Sequence, residues 1–145
     1  MNTTLYYQQK LGDLVFGNVA YSVPTFYLGL FTDVLSDDIT NGITAPTSEV
    51  PDGITNGYQR VPVANDKVTF ASADGSGNVE TIIDILFANT VADWGNVSYI
   101  GVFDALTDGN LLIWDIADAL EQDYVNVVNG TVVQIDLGSL IFKVG

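Results

Sequence analysis

Hydrophobic and polar positions follow three different patterns along this chain, and each predicts a different kind of element. Over residues 1–20, Leu5, Tyr7, Leu11, Leu14 and Val15, with Asn18 closing the series, recur mostly three and four apart. That spacing lays an apolar stripe along a helix, with Thr3 or Thr4 placed as its N-cap and Gly17-Asn18 as its stop. Pro24 then opens TFYLGLF (25–31), which is apolar throughout and predicts a strand buried on both faces.

From Thr32 to Gln59 the periodicity is lost. Asn-Gly occurs twice and Asp-Gly once, with two prolines and several acids, so residues 32–57 read as a long acidic loop. Loops of that length in compact domains are usually functional or ordered by a partner. ITNG occurs at 39–42 and again at 54–57, but copies so short, in turn-type sequence, do not make an internal repeat.

The rest of the chain is a succession of short strands separated by turn residues. They are expected at 58–63, 67–72, 79–88, 97–104, 110–116, 124–128, 131–136 and 139–144. Val128-Asn129-Gly130-Thr131 carries the signal of a two-residue type I′ hairpin, because Asn and Gly tolerate positive φ. Only DIADALEQ (115–122) could interrupt the pattern with a helical turn. The expected fold is mainly β, an antiparallel β-sandwich or jelly-roll-like barrel with a short N-terminal α-helix. It spans 1–145 as a single domain, long enough to bury a core without staples.

Composition removes most chemistry. The chain has no cysteine and no histidine, so disulfides, thiolate nucleophiles and the usual neutral-pH base are all missing. Net charge is −14, and the four basic residues, Lys10, Arg60, Lys67 and Lys143, are scattered. Such a surface repels phosphate backbones and anionic lipid heads, so neither direct nucleic-acid binding nor a membrane is expected. No apolar run approaches the roughly 20 residues that cross a bilayer. MNTTLYYQQKLGDL lacks the layout of a signal peptide, so the sequons at Asn2, Asn96 and Asn129 are expected to be chance.

Two candidate sites remain to be weighed. Asp93, Asp104, Asp108 and Asp115 surround an aromatic block containing Trp94 and Trp114, and glycosidases use paired acids beside a sugar. Aspartate also shapes turns and ends strands, which accounts for these four without further assumption. The tryptophans are expected in the core. ADGSGN (73–78) and DVLSDD (33–38) supply oxygens that a calcium ion could use, but neither has the spacing of a calcium loop. The serines have no base to activate them, and DGSGN lacks the end of a phosphate loop. No catalytic, cofactor or metal residue is therefore assigned, and no enzyme activity is expected.

The order of elements carries a resemblance. NVAY (18–21), FYLGLFTD (26–33), GYQRVPV (57–63), ADWGNVSYIGVFDALTDGNLLIW (92–114) and GSLIF (138–142) follow one another as in small tailed-bacteriophage virion proteins of the tail fibre or capsid decoration type. Most of the specificity lies in the block ADWG-x-V-x-x-x-G-x-F-D-A-x-x-x-G-N-L-L. The chain departs from that family in its longer acidic loop at 32–56 and its longer segment at 115–126. The resemblance implies a non-enzymatic virion protein made in the host bacterial cytoplasm. It implies a homotrimer or other cyclic oligomer that docks through the helix and the long loop onto the major capsid protein or tail proteins.

Three functions stay in play, two from the resemblance and one from a different class. First is a capsid decoration or cement protein that binds only the assembled shell, since the chain is compact and has no shaft. Second is a tail fibre, tail-tip or adaptor subunit. The third, and distant, is a carbohydrate-binding or hydrolysing module built on Trp94 or Trp114 with nearby acids.

Overall fold

The computed structural model describes residues 2–33, 38, 44–88, 90–116 and 125–143. Its centre is strand β2 (Thr25–Phe31), the apolar TFYLGLF segment, which lies between two antiparallel neighbours. On one side is β7 (Tyr99–Phe103) and on the other β3 (Val61–Ala64). β8 (Leu111–Ile116) pairs with β7 as a hairpin, and β1 (Asn2–Thr3) pairs with the outer side of β8. The five-stranded order is β1-β8-β7-β2-β3. The last residues of β2 run past β3, and the long loop takes its place there. Val50 N donates to Leu30 O at 2.8 Å, and Thr32 N donates to Ser48 O at 2.8 Å.

Alternation along the strands gives this sheet two different faces. Leu28, Leu30, Ile100, Val102 and Ile113 join the main core. The other face carries an aromatic cluster of Phe31, Tyr99, Phe103 and Trp114. Phe31 and Phe103 stack at 5.9 Å, and Tyr99 meets Trp114 edge-on at 5.6 Å. Room for these rings comes from two glycines that pair across β2 and β7, Gly29 opposite Gly101. A Cβ on Gly101 would lie 2.5 Å from Phe31 Cε2 and 2.7 Å from Leu111 Cδ1.

Among the described residues, three two-stranded ribbons complete the core. They are β4 (Asn78–Glu80) with β11 (Ile141–Lys143), β5 (Ile85–Leu86) with β10 (Gln134–Ile135), and β6 (Gly95–Val97) with β9 (Val125–Val127). A ribbon this short is not stable alone. Ile85, Ile135, Val97 and Val127 hold two of the ribbons in place by entering the core with Phe87 and Trp94, and Val79 of β4 packs against it. Helix α1 (Leu5–Phe16) begins at Thr4, whose hydroxyl accepts from Tyr7 N and donates to Leu111 O at 2.6 Å. It ends at Gly17, with Asn18 left-handed at φ 51°.

The mainly β, antiparallel fold with one N-terminal helix is as expected, but three local expectations are corrected. The apolar stripe of the helix is largely uncovered. Tyr6 and Tyr7 pack on the core, but no helix residue is buried, and Leu5, Leu14 and Val15 are exposed. Residues 67–72 are not a strand. The Asp66 carboxylate accepts from the N–H groups of Val68 and Thr69, and Phe70 N reaches back to Asp66 O, so a side chain competes successfully with the ladder. The stretch at 79–88 is two strands, because Thr81 breaks it by bonding to Leu140 and Gly138.

The hairpin at 128–131 is also not type I′. Only Gly130 is left-handed there (φ 84°), whereas that turn needs positive φ at both central residues. The flanking strands separate to pair with β6 and β5. Thr90 fills the gap, its hydroxyl donating to Val128 O and Thr131 O. The expected helical turn in DIADALEQ falls largely on residues outside those described, as does part of the loop at 32–57.

Gly101→Ala is expected to destabilise the chain by about 1–3 kcal/mol through overpacking of the aromatic face. Gly75→Ala, where a Cβ meets nothing within 4 Å, should fall within about 0.5 kcal/mol of the parent. Urea unfolding followed by tryptophan fluorescence measures both.

Candidate functional site

The second half of the long loop and the β7–β8 turn meet at one side chain, Arg60. In the extended GYQR segment, Tyr58 and Arg60 point inward and Gln59 outward, as a period of two requires. Both inward residues are buried. The Arg60 guanidinium forks onto Glu49, with Nε donating to Oε1 at 2.8 Å and Nη2 to Oε2 at 2.7 Å. Its Nη1 donates to Ala105 O at 2.8 Å and to Asp108 O at 2.7 Å. The plane lies over the Phe103 ring, 3.4 Å from its centre. One cation thus joins the loop, the aromatic face and the turn, using a bidentate pair and a π contact that lysine could not reproduce.

Neighbouring groups complete the junction. The Tyr58 hydroxyl donates to Glu49 Oε1 at 2.8 Å and accepts from Leu30 N at 2.9 Å. The turn offers its carbonyls to Arg60 because Asp108 and Gly109 are both left-handed, at φ 53° and 70°. A Cβ on Gly109 would fall 2.6 Å from Asp104 Oδ1. Asp104 clamps the turn from within, accepting from Asn110 N at 2.6 Å and Asn110 Nδ2 at 2.9 Å.

Between Glu49–Asp52 and Leu106–Asp108 lies an open cleft of about 360 Å³, with Tyr58 and Arg60 in its floor. These bonds engage every nitrogen of the Arg60 guanidinium and both carboxylate oxygens of Glu49. The rim presents Asp52, Thr107 and Asp108, with Pro51 and Leu106 as apolar edges. Such a cleft can hold a polar or cationic group.

The four aspartates of the aromatic block are dispersed in role. Asp104 and Asp108 shape one turn. Asp93 serves another, its Oδ1 accepting from Asn129 N at 2.7 Å. Asp115 sits in β8 opposite Ile100. Trp94 is buried, donates Nε1 to Asn56 O at 2.7 Å, and meets Tyr58 edge-on at 5.3 Å. Trp114 is buried against Tyr99. Neither ring is an exposed platform.

The oxygen-rich loops also bond to themselves. Asp74 accepts from Ser76 N and Asn78 N, and these bonds, that of Asn78 foremost, hold its carboxyl below the usual range. The Asp33 carboxylate accepts from Thr47 N and Ser48 N, while 34–37 lie outside the described residues. Among the described residues no group of three or more acids could hold a metal ion. Glu49 and Arg60 were not among the site candidates that the sequence offered. The available signal was a lone cation two residues after a tyrosine, in a chain with only three others.

Three tyrosines have raised hydroxyl pKa values, Tyr7 through burial alone. Burial, followed by the Tyr6 and Asp104 charges, pushes Tyr21 up to about 12. Tyr58 is raised as well, chiefly by burial, with the Leu30 N–H acting in the opposite direction.

The family model that matches this chain is described as podophage GP4 fiber I protein gp80, and the match runs through residues 2–143. No curated protein matches.

Two measurements test the junction. Arg60→Met should lower stability by about 2–4 kcal/mol, the lower part of the usual range because the Glu49 side chain keeps 24% of its exposure. Arg60→Met with Glu49→Gln should recover part of that loss, since no unpaired carboxylate remains. Equal urea midpoints for the two variants would exclude the ion pair as the cause. The second measurement is alkaline titration. A folded-state pKa above the ordinary 10.0 favours the neutral hydroxyl in the fold, so this stability is whole below pH 10 and is lost as pH rises towards about 12. Tyr21→Phe should flatten the fall in melting temperature over that window.

Proposed function

The chain belongs to this podophage fibre family, and on that premise we propose that it is a non-enzymatic structural subunit of the phage tail fibre or tail tip. The observation that carries the proposal is the family match, which runs through nearly the whole chain under a description that names a fibre. The same description favours the tail over capsid decoration, the function that the sequence alone ranked first. The chain contains no collagen-like, coiled-coil or β-helix repeat, so its part in a fibre is that of a compact head, joint or attachment unit rather than a shaft. Its partners are then tail proteins and further copies of itself.

The junction at Arg60 suits such a unit. It fixes the loop at Glu49–Asp52 and the turn at Leu106–Asp108 to one another, so that a binding partner meets a preformed surface and little ordering entropy opposes docking.

Copy number in purified virions, by quantitative mass spectrometry against the major capsid and tail-ring proteins, tests the proposal. A ratio matching tail components, with antibody label at the tail in electron micrographs, is expected. A ratio near that of the shell protein would return the chain to capsid decoration. Absence from the particle would remove the virion role.

A further inference from the structure

Asparagine followed by glycine is the pair in which a backbone amide most readily attacks the preceding side chain, because glycine puts no Cβ in the way and bends freely. The chain has three such pairs, Asn41-Gly42, Asn56-Gly57 and Asn129-Gly130. The first lies outside the described residues. The other two both sit in turns, and the fold treats them in opposite ways.

Asn56 is held at both ends of its side chain. Its Nδ2 donates to Pro51 O at 2.7 Å, and its Oδ1 accepts from Tyr58 N at 2.9 Å. Its own carbonyl accepts from Trp94 Nε1 at 2.7 Å and from Val91 N at 3.3 Å, which ties the backbone there to the core. Asn129 lies exposed in the turn between β9 and β10, and its side-chain amide makes no hydrogen bond to any described residue. Only the backbone is held there. Asn129 N donates to Asp93 Oδ1 at 2.7 Å, and Gly130 N donates to Thr90 O at 3.2 Å. A Cβ added to Gly130 would meet nothing within 4 Å, so the space beside it is open for a ring to close.

We propose that Asn129 is a site of spontaneous deamidation and that its hydrogen bonds protect Asn56 from the same reaction. The Gly130 nitrogen gives its proton to water or hydroxide and bonds to Asn129 Cγ. The Cγ–Nδ2 bond breaks, and Nδ2 leaves as ammonia, closing a succinimide ring. Water then opens the ring at Cγ to give aspartate, or at the backbone carbonyl to give isoaspartate. One water enters and one ammonia leaves, so no oxidant, metal or enzyme takes part. Either product adds a carboxylate to a turn that the Asp93 carboxylate already holds, in a chain of net charge −14. Isoaspartate also lengthens the main chain between Val128 and Thr131, the two carbonyls that the Thr90 hydroxyl bridges. Each copy thus carries a slow, irreversible mark of its age, and the marked turn grips β9 and β10 less firmly.

The reaction needs no partner and does not depend on where the chain sits in the particle, so the isolated full chain tests it. The protein is kept warm at mildly alkaline pH, and peptide mass spectrometry follows the conversion of amide to acid at each asparagine. In the folded chain Asn129 should convert at least about tenfold faster than Asn56, the ratio expected when two side-chain hydrogen bonds must first open. In urea, where neither site is held, the two rates should converge. Asn129→Gln should keep the parent's circular dichroism and remove the first acidic species seen on anion exchange. That acidic species, isolated from the parent, should unfold at lower urea. Equal rates at the two sites in the folded chain, or an Asn129 that stays intact while the urea-unfolded chain converts, would overturn the proposal. A preference for Asn129 that persists unchanged in urea would overturn it too, since the selectivity would then belong to the neighbouring residues and not to the fold. An acidic species as stable as the parent would remove the loosening of the turn.

Discussion

A guanidinium taken out of water has to be met on every side, and in this fold that requirement organises the region around the β7–β8 turn. Arg60 is 8% exposed. Its donors reach a carboxylate from the long loop and two carbonyls from the turn, and an aromatic ring covers its face. Any displacement of one partner leaves a buried charge or carbonyl unmatched, at a cost of several kcal/mol. The pair therefore specifies geometry more than it adds stability. It explains why Gly29 must lack a side chain: a Cβ there would stand 2.7 Å from Glu49 Oε1 and 2.9 Å from Phe103 Cε2.

The parts of the fold governed by local chemistry could be read from the sequence. TFYLGLF has no charged position, so its placement between neighbours followed directly, and the β7–β8 hairpin followed from two apolar runs around a turn. Thr4 and Gly17-Asn18 bounded the helix because caps act within a few residues. The ribbons were less legible. Strands of two or three residues select partners by where their side chains enter the core, which no short window reveals. Asp66 and Thr90 show the second reason: one polar side chain can take over backbone groups that a pattern of apolar residues assigns to a ladder.

The candidate site was the least legible part. Asp104 and Asp108 did lie beside it, but as turn formers, and the aspartates that stood out in sequence do not converge on one centre. Glu49, Arg60 and the carbonyls of Ala105 and Asp108 come together only once β2 is paired on both sides. Backbone carbonyls carry no sequence signal at all. The fibre assignment, likewise, came from likeness across the chain rather than from any cluster of reactive groups.

The strand order has a consequence for how this protein is made. β1 is completed by β8, Asn2 facing Trp114, and β4 by β11, Asn78 facing Lys143. Segments that a ribosome delivers early therefore wait for partners delivered much later. Folding dominated by such distant pairings is slow, and the intermediates expose unpaired strand edges. During that interval the uncovered side of α1 is exposed on a nascent chain that also displays TFYLGLF. The high acidity that separates finished copies from one another also holds unfinished chains apart, so the charge acts as a safeguard against aggregation before the fold is complete.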